Sequence, residues 1–334
     1  MRILIVGFGS IGKRHLENLM NVSNNQLIIC SKRNDLEGYK KKGVIIHRTL
    51  NEALKDKPDV AFVTNETSLH VPTAIVLAKN NMHLFLEKPL SNSKNNLNKL
   101  KTISNKEKII TQIGCNMRYH PCIVKIKKML NTGILGKVIS VQIESGSYLP
   151  DWHPDEDYRI GYAANDDLGG GIALTCIHEI DLLYWFFGKP KEVFSITGKY
   201  GDLEVKTDDH SSMILRFKNN IIAEVHLDYL QRPEFKRCKI RGTKGIVYWD
   251  SDINEVKFYS KKLKRWSKKM KVSKFQKNEM YVNEIKDFLK CIKNNSTSMN
   301  NLSDGINTLK IVLNSCFSFN SVFLVVSITK LSDL

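Results

Sequence analysis

Two stretches carry residues able to hold and move a proton. Glu87-Lys88-Pro89 closes the apolar run His83-Leu84-Phe85-Leu86. A lysine there can hydrogen-bond a substrate oxygen and stabilise negative charge developing on it. His178-Glu179-Ile180-Asp181 follows the glycine run Gly169-Gly170-Gly171. Histidine titrates near neutrality, so His178 suits an acid/base role. Asp181 stands three residues on, on the same helical face, where it could orient the imidazole. The bland alternatives are a surface lysine before a helix-starting proline, and a buried histidine satisfied by its aspartate.

Taking a proton from a carbinol is half of an oxidation. The other half needs an electron acceptor, and the first fifteen residues supply its seat. Arg2-Ile3-Leu4-Ile5-Val6 reads as a strand, and Lys13 to Met20 as a helix. Gly7-Phe8-Gly9-Ser10-Ile11-Gly12 between them is G-x-G-x-x-G in the strand–turn–helix setting that binds a dinucleotide pyrophosphate. The helix N-terminus offers N–H groups and partial positive charge to that anion. The next strand, Leu27 to Cys30, ends at Ser31-Lys32-Arg33. An NAD site places an acidic residue there for the ribose 2′-hydroxyl. A hydroxyl and two cations suit a 2′-phosphate better, so NADP is favoured over NAD.

These residues need a scaffold. Short apolar runs alternate with helical patterns as far as Ile109–Ile113: strands at Val44–Ile46, Val60–Thr64 and His83–Leu86, helices at Leu50–Lys55, His70–Asn80 and Ser93–Asn105. That alternation predicts a doubly wound parallel sheet. After Tyr119 the pattern changes. A helix over Pro121–Leu130 precedes period-two alternation from Val138, with hairpins around Asn219-Asn220 and Gly242–Gly245. The second half therefore reads as an α/β domain with a mostly antiparallel open sheet. We divide the chain into residues 1–120, binding the dinucleotide, and 121–334, binding substrate and oligomerising. One continuous helix is expected from Ile172 to Trp185 and another over Glu279–Lys293. Ser303 is the expected N-cap of a last one, and Ile311 to Ile328 reads as a helix followed by a buried strand.

Composition narrows the partners. The chain has 334 residues, 42% hydrophobic, and a formal net charge of +17. Its lysines and asparagines are spread over many segments, including Lys261 to Lys274, which reads as solvated surface rather than a nucleic-acid site. Seven cysteines, none in C-x-x-C, read as reduced cytoplasmic thiols, and no metal spacing is visible. The N-terminus reads as a strand rather than a signal peptide, and no membrane span is expected.

Together the glycine fingerprint, Thr64 with His70, Glu87-Lys88-Pro89, and Gly169-Gly170-Gly171 with His178 and Asp181 resemble the glucose-fructose oxidoreductase / inositol dehydrogenase / rhizopine-catabolism family, Gfo/Idh/MocA. The resemblance covers nearly the whole chain. It implies a Rossmann domain, a second α/β domain whose sheet makes homodimers or homotetramers, and NAD(P)-dependent hydride transfer on a sugar, nucleotide sugar or polyol. It assigns catalysis to Lys88 and His178, and it adds Thr64, His70 and Glu87 to the cofactor set. Many members carry an aspartate one turn before the histidine, where this chain has Leu174 or Thr175. Tyr148–Pro154 and Asp157-Tyr158-Arg159 look like members that build bacterial surface sugars. Trp152, His153, Tyr158 and Arg159, with Arg118 and Thr175, form the expected substrate set, aromatics for a sugar face and arginine for phosphate. The rival reading is a non-catalytic NAD(P)-binding sensor or regulatory subunit.

Overall fold

The computed structural model describes residues 1–22 and 24–315. They form two compact units. One comprises Met1–Asn116 with Lys277–Ile306, and the other Met117–Gln276 with the described residues from Asn307.

In the first unit β1 (Arg2–Val6), α1 (Ser10–Val22), β2 (Gln26–Cys30), α2 (Glu37–Lys40), β3 (Ile45–His47) and α3 (Leu50–Lys55) make the first half. β4 (Val60–Val63), α4 (His70–Lys79), β5 (His83–Glu87), α5 (Leu97–Lys106) and β6 (Thr111–Gly114) follow. All pairs are parallel, in the order β3-β2-β1-β4-β5-β6. This is the doubly wound order whose switch point lies between β1 and β4, where such sheets bind ligands beyond the strand ends. Apart from the edge strand β3, the strands are buried on both faces, which explains the apolar runs of β1, β2, β4 and β5. The helix expected from Ser93 starts at Leu97, because Asn96 takes a left-handed φ of 59°.

The second unit contains α6 (Pro121–Asn131), β7 (Val138–Gly146), α7 (Ile172–Thr175), α8 (Ile177–Phe187), β8 (Glu192–Gly198), β9 (His210–Arg216) and β10 (Ile222–Asp228). β11 (Phe235–Gly242), β12 (Gly245–Asp250), β13 (Glu255–Ser260) and β14 (Arg265–Lys271) complete its sheet, ordered β14-β13-β12-β11-β7-β10-β9-β8. Only β7 and β10 pair in parallel; every other pair is antiparallel. Strand β8 and the β13–β14 hairpin are additions to the sequence reading, and the hairpin occupies the stretch read as solvated lysines.

The chain then returns to the first unit. Helix α9 (Lys277–Asn294) lays Ile285, Phe288 and Cys291 on the core formed by Ile3, Ile5, Phe62 and Phe85. Asn278 and Asn18 exchange side-chain hydrogen bonds at 2.8 and 3.1 Å. Helix α10 (Leu302–Ser315) is capped by Asn301, whose side-chain oxygen accepts from the N–H groups of Ser303 and Asp304. Ser303 is therefore inside the helix, not its cap. The strand expected up to Ile328, and Cys316, lie outside the described residues.

Candidate active site

The glycine turn is shaped by what surrounds each glycine. Gly7 has φ +90°, and a Cβ there would stand 2.6 Å from the Asn65 backbone. A Cβ on Gly12 would stand 2.4 Å from the Gly7 carbonyl, so α1 packs directly on the turn. Gly9 has nothing within 4 Å of a built Cβ. Two glycines are thus demanded by the protein itself, and the middle one borders open space at the helix N-terminus. A pyrophosphate fits there by shape and by charge. Phe8 is buried against Tyr39, while Ser10 is exposed and Ile11 half-buried.

Three residues expected to touch the cofactor have their side-chain polar atoms bonded within the protein. Thr64 is buried and donates its hydroxyl to the carbonyls of Gly7 (2.7 Å) and Val6 (3.1 Å), bracing the turn. His70 is 1% exposed, with Nδ1 2.8 Å from the Pro89 carbonyl and Nε2 2.9 Å from that of Asn65. Glu87 is buried, its Oε1 2.6 Å from His15 Nε2 and its Oε2 accepting the Lys88 N–H at 3.1 Å. The family resemblance pointed to these positions, and their side chains brace the glycine turn and the backbone beside Lys88. Lys88 ends up half-buried at the carboxyl end of β5, and the Lys88–Pro89 bond is cis.

After β2, Ser31 is half-buried and Lys32 and Arg33 are exposed. Arg33 grips the carboxylate of Asp35 with Nε at 2.8 Å and Nη2 at 2.5 Å. That grip holds the Asp35 carboxyl down to about 2. An acid therefore does stand on this loop, further along than the expected place. Spacing alone hid it.

In the second unit the expected single helix is two. Cys176, at φ −92° and ψ 36°, separates α7 from α8, and half-buried His178 sits in the first turn of α8. Gly171 takes φ +102°, and a Cβ there would meet the Asp208 carboxylate at 2.5 Å. Asp208 closes this turn, accepting from the N–H groups of Ile172 (at its carbonyl) and Ala173 (at its carboxylate), both at 3.1 Å. Burial pushes its carboxyl up to about 6. No sequence signal singled it out.

The expected partnership of Asp181 with the imidazole meets a different geometry. Both Asp181 oxygens accept from Arg118, Nε and Nη2 each at 2.8 Å, and both side chains are buried. The guanidinium lies over the Trp185 ring at 5.6 Å. A carboxylate held in this fork is a seat for Arg118. Beside His178, the buried Glu179 pairs with the half-buried Lys236 at 2.6 Å, and Lys236 also reaches Ser145 at 2.7 Å. Thr175 and Tyr229 are buried, and the Trp152 ring meets Tyr229 edge-on at 5.4 Å while donating to Ser147 at 2.9 Å. The rest of the expected substrate loop is differently committed. Arg159 is exposed and bound to Asp157 and Glu204, the Tyr158 hydroxyl accepts from the Glu204 N–H, and His153 is exposed. A phosphate at Arg159 would have to share the guanidinium with two carboxylates. Among the described residues no group of three His, Cys, Asp or Glu side chains could hold a metal ion.

Residues 1–115 match the family model described as an oxidoreductase family with NAD-binding Rossmann fold, and residues 123–248 match that of the GFO/IDH/MocA C-terminal domain. Myo-inositol 2-dehydrogenase of Thermotoga maritima is 28% identical over 313 residues, 88% of each chain. A crystal structure of a probable dehydrogenase from the same organism has TM-score 0.78 at 26% identity, covering 94% of this chain and 96% of that one. Levoglucosan dehydrogenase in complex with NADH shares the fold at TM-score 0.83 and 18% identity, covering 93% and 95%. With its glycine turn, its sheet orders and both domain models in agreement, the chain belongs to the Gfo/Idh/MocA oxidoreductase family.

Proposed function

We propose that this protein is an NAD(P)-dependent dehydrogenase that interconverts a secondary alcohol and a ketone on a sugar or polyol. The observation that carries the reading is the turn in which Gly7 and Gly12 are filled by protein and Gly9 faces open space. The nicotinamide, when bound, supplies the two-electron acceptor. Oxidation would break the carbinol C–H and O–H bonds, the C–H pair leaving as hydride for that acceptor and the proton passing to the protein. His178 takes that proton, and the Lys88 ammonium hydrogen-bonds the oxygen as its negative charge develops. Asp181 positions Arg118, and Trp152 offers an aromatic edge to a sugar. The relatives named above are inositol and levoglucosan dehydrogenases, which favours catalysis over a sensor role and a neutral polyol over a nucleotide sugar.

The finer points extend the same reading. NADP is the preferred cofactor, through Ser31, Lys32 and Arg33. The open sheet face of the second unit joins copies into a dimer or tetramer. A reducing, cytoplasmic setting suits the six described cysteines, none of them in a disulfide, and no described helix is long and apolar enough to cross a membrane.

The test is nicotinamide fluorescence across a panel of sugars and polyols, followed by substitution. Lys88→Met and His178→Ala should each lower the rate constant by roughly 10²–10⁴ while dinucleotide binding stays nearly intact. Full activity in either variant overturns that residue's role, and binding without turnover across the panel returns the sensor reading.

A further inference from the structure

We infer that His15 and His70 are positioning residues that brace the two neighbours of Lys88 and tie that lysine to the glycine turn. The inference rests on the role proposed for Lys88.

His15 leaves α1 three residues after Gly12. Its Nε2 lies 2.6 Å from Glu87 Oε1, and Glu87 Oε2 accepts the Lys88 N–H. His15 Nδ1 has no hydrogen-bond partner, and Phe62, Phe85 and Tyr281 wall in the ring at 5.4, 4.9 and 6.2 Å. Nothing receives a proton at Nδ1, so the proton belongs on Nε2 and His15 is a donor to Glu87. The sheet makes room for that carboxylate, since a Cβ on Gly114 of β6 would stand 2.9 Å from Glu87 Oε1. Around this pair stand Lys88 itself, the Tyr281 phenol raised by burial and by Glu87, and Arg14 lying 4.7 Å over the Tyr281 ring.

His70 does the same on the other side. One ring nitrogen reaches Pro89, the residue after Lys88, and the other reaches Asn65, whose backbone packs on Gly7. Both targets are carbonyls and only accept, so the neutral ring donates its one N–H to one of them and holds the other at contact distance. Burial holds His70 below the ordinary histidine range against the pull of both carbonyls and of Glu87 and Glu66. These two spend their ring nitrogens on Glu87, Pro89 and the turn-packed Asn65. Helix α1, which borders the phosphate seat, and α4 therefore also fix the backbone on either side of the lysine.

The experiment reads Lys88 directly. NADH-bound protein is acetylated with acetic anhydride across a pH series, and modification of Lys88 is followed by peptide mass spectrometry alongside the NADH dissociation constant. His15→Leu and His70→Leu should move the Lys88 profile by about one pH unit while NADH binding weakens no more than about threefold. His15→Gln, which keeps an N–H donor, should restore the wild-type profile. The His70→Gln amide cannot span both carbonyls as the ring does and should give an intermediate shift. A Leu variant that binds NADH yet keeps the wild-type profile overturns the inference. Should the Leu variants fail to fold, an unchanged profile in His70→Gln overturns it. Full activity of Lys88→Met would instead refute the catalytic reading, leaving the acetylation result to judge the brace alone.

Discussion

At the scale of single residues, the glycines were legible because their requirement is local. A φ of +90° or a helix packed against a carbonyl forbids a side chain wherever the rest of the chain goes. The ion pairs were not legible, because they join residues by loop geometry. Arg33 and Asp35 are two apart in sequence, yet only the conformation of the loop sets the guanidinium on the carboxylate. The pair makes cofactor choice a competition. A 2′-phosphate must share or displace Asp35, and charge-assisted bonds of this kind contribute about 1.5–3 kcal/mol each. We expect NADPH to bind about tenfold more tightly than NADH, Asp35→Asn to widen that gap, and Arg33→Ala to close it. Dissociation constants for both cofactors in the three proteins decide the matter, and equal affinities in the wild type refute it. Arg118 gives a second expectation. Its removal takes both guanidinium bonds from a buried carboxylate that also accepts from the Thr308 hydroxyl at 3.4 Å, so Arg118→Met should lower stability by about 3–5 kcal/mol in chemical denaturation, and a loss under about 1 kcal/mol would show Asp181 satisfied without the guanidinium.

At the scale of elements, helices and strands were read well where the period was long and poorly where one side chain decides. α3 spans Leu50–Lys55 as read, closed by a capping box from Thr49 and Glu52. The break at Cys176 and the cap at Asn301 depend on single dihedrals and single hydrogen bonds, which periodicity does not carry. α6 shows what such a residue can do. His120 caps it, with Nδ1 accepting the Cys122 N–H at 3.1 Å, and Pro121 occupies the first turn. Burial lowers His120 from the ordinary 6.5 to about 4. Between those values the unfolded chain holds a proton that the folded chain refuses. Stability therefore rises with pH across that window and is lost on acidification, by about 3 kcal/mol in total at pH 4. Protonation at Nδ1 would also abolish the cap. His120→Asn keeps a capping acceptor that does not titrate. Its unfolding temperature should fall less steeply than that of the wild type from pH 6.5 to 4, measured by scanning calorimetry on both proteins. Parallel curves would assign the acid sensitivity elsewhere.

At the scale of the whole molecule, the class of each sheet was legible from its period, but the return of α9 to the first unit was not. Its stripe of Ile285, Phe288 and Cys291 says that the helix buries one face, and only the fold says against what. The same kind of question attends the second sheet. Alternation buries Val141, Met213, Leu215, Ala223, Val225 and Ile240 on one side. The opposite side carries Phe194 beside Ile214, then Ile196, and across the sheet Ile246 beside Tyr259 and Trp266. Ile196 is 52% exposed, and Ile214 and Trp266 are each 49% exposed. Between these patches run the Gln142–Glu224 hydrogen bond and the Arg237–Asp250 ion pair. Apolar patches at both ends with polar ladders between them are self-complementary when a second copy lies face to face on a two-fold axis. A stable interface of this kind buries about 1,200–2,000 Å² in total, and a charge placed within it would be desolvated without a partner. Wild-type protein at micromolar concentration should therefore sediment as a dimer or tetramer. Ile196→Glu with Ile214→Glu should sediment as a monomer that keeps its far-ultraviolet circular dichroism. A monomeric wild type, or an unchanged oligomer in the double variant, would remove this face as the joining surface.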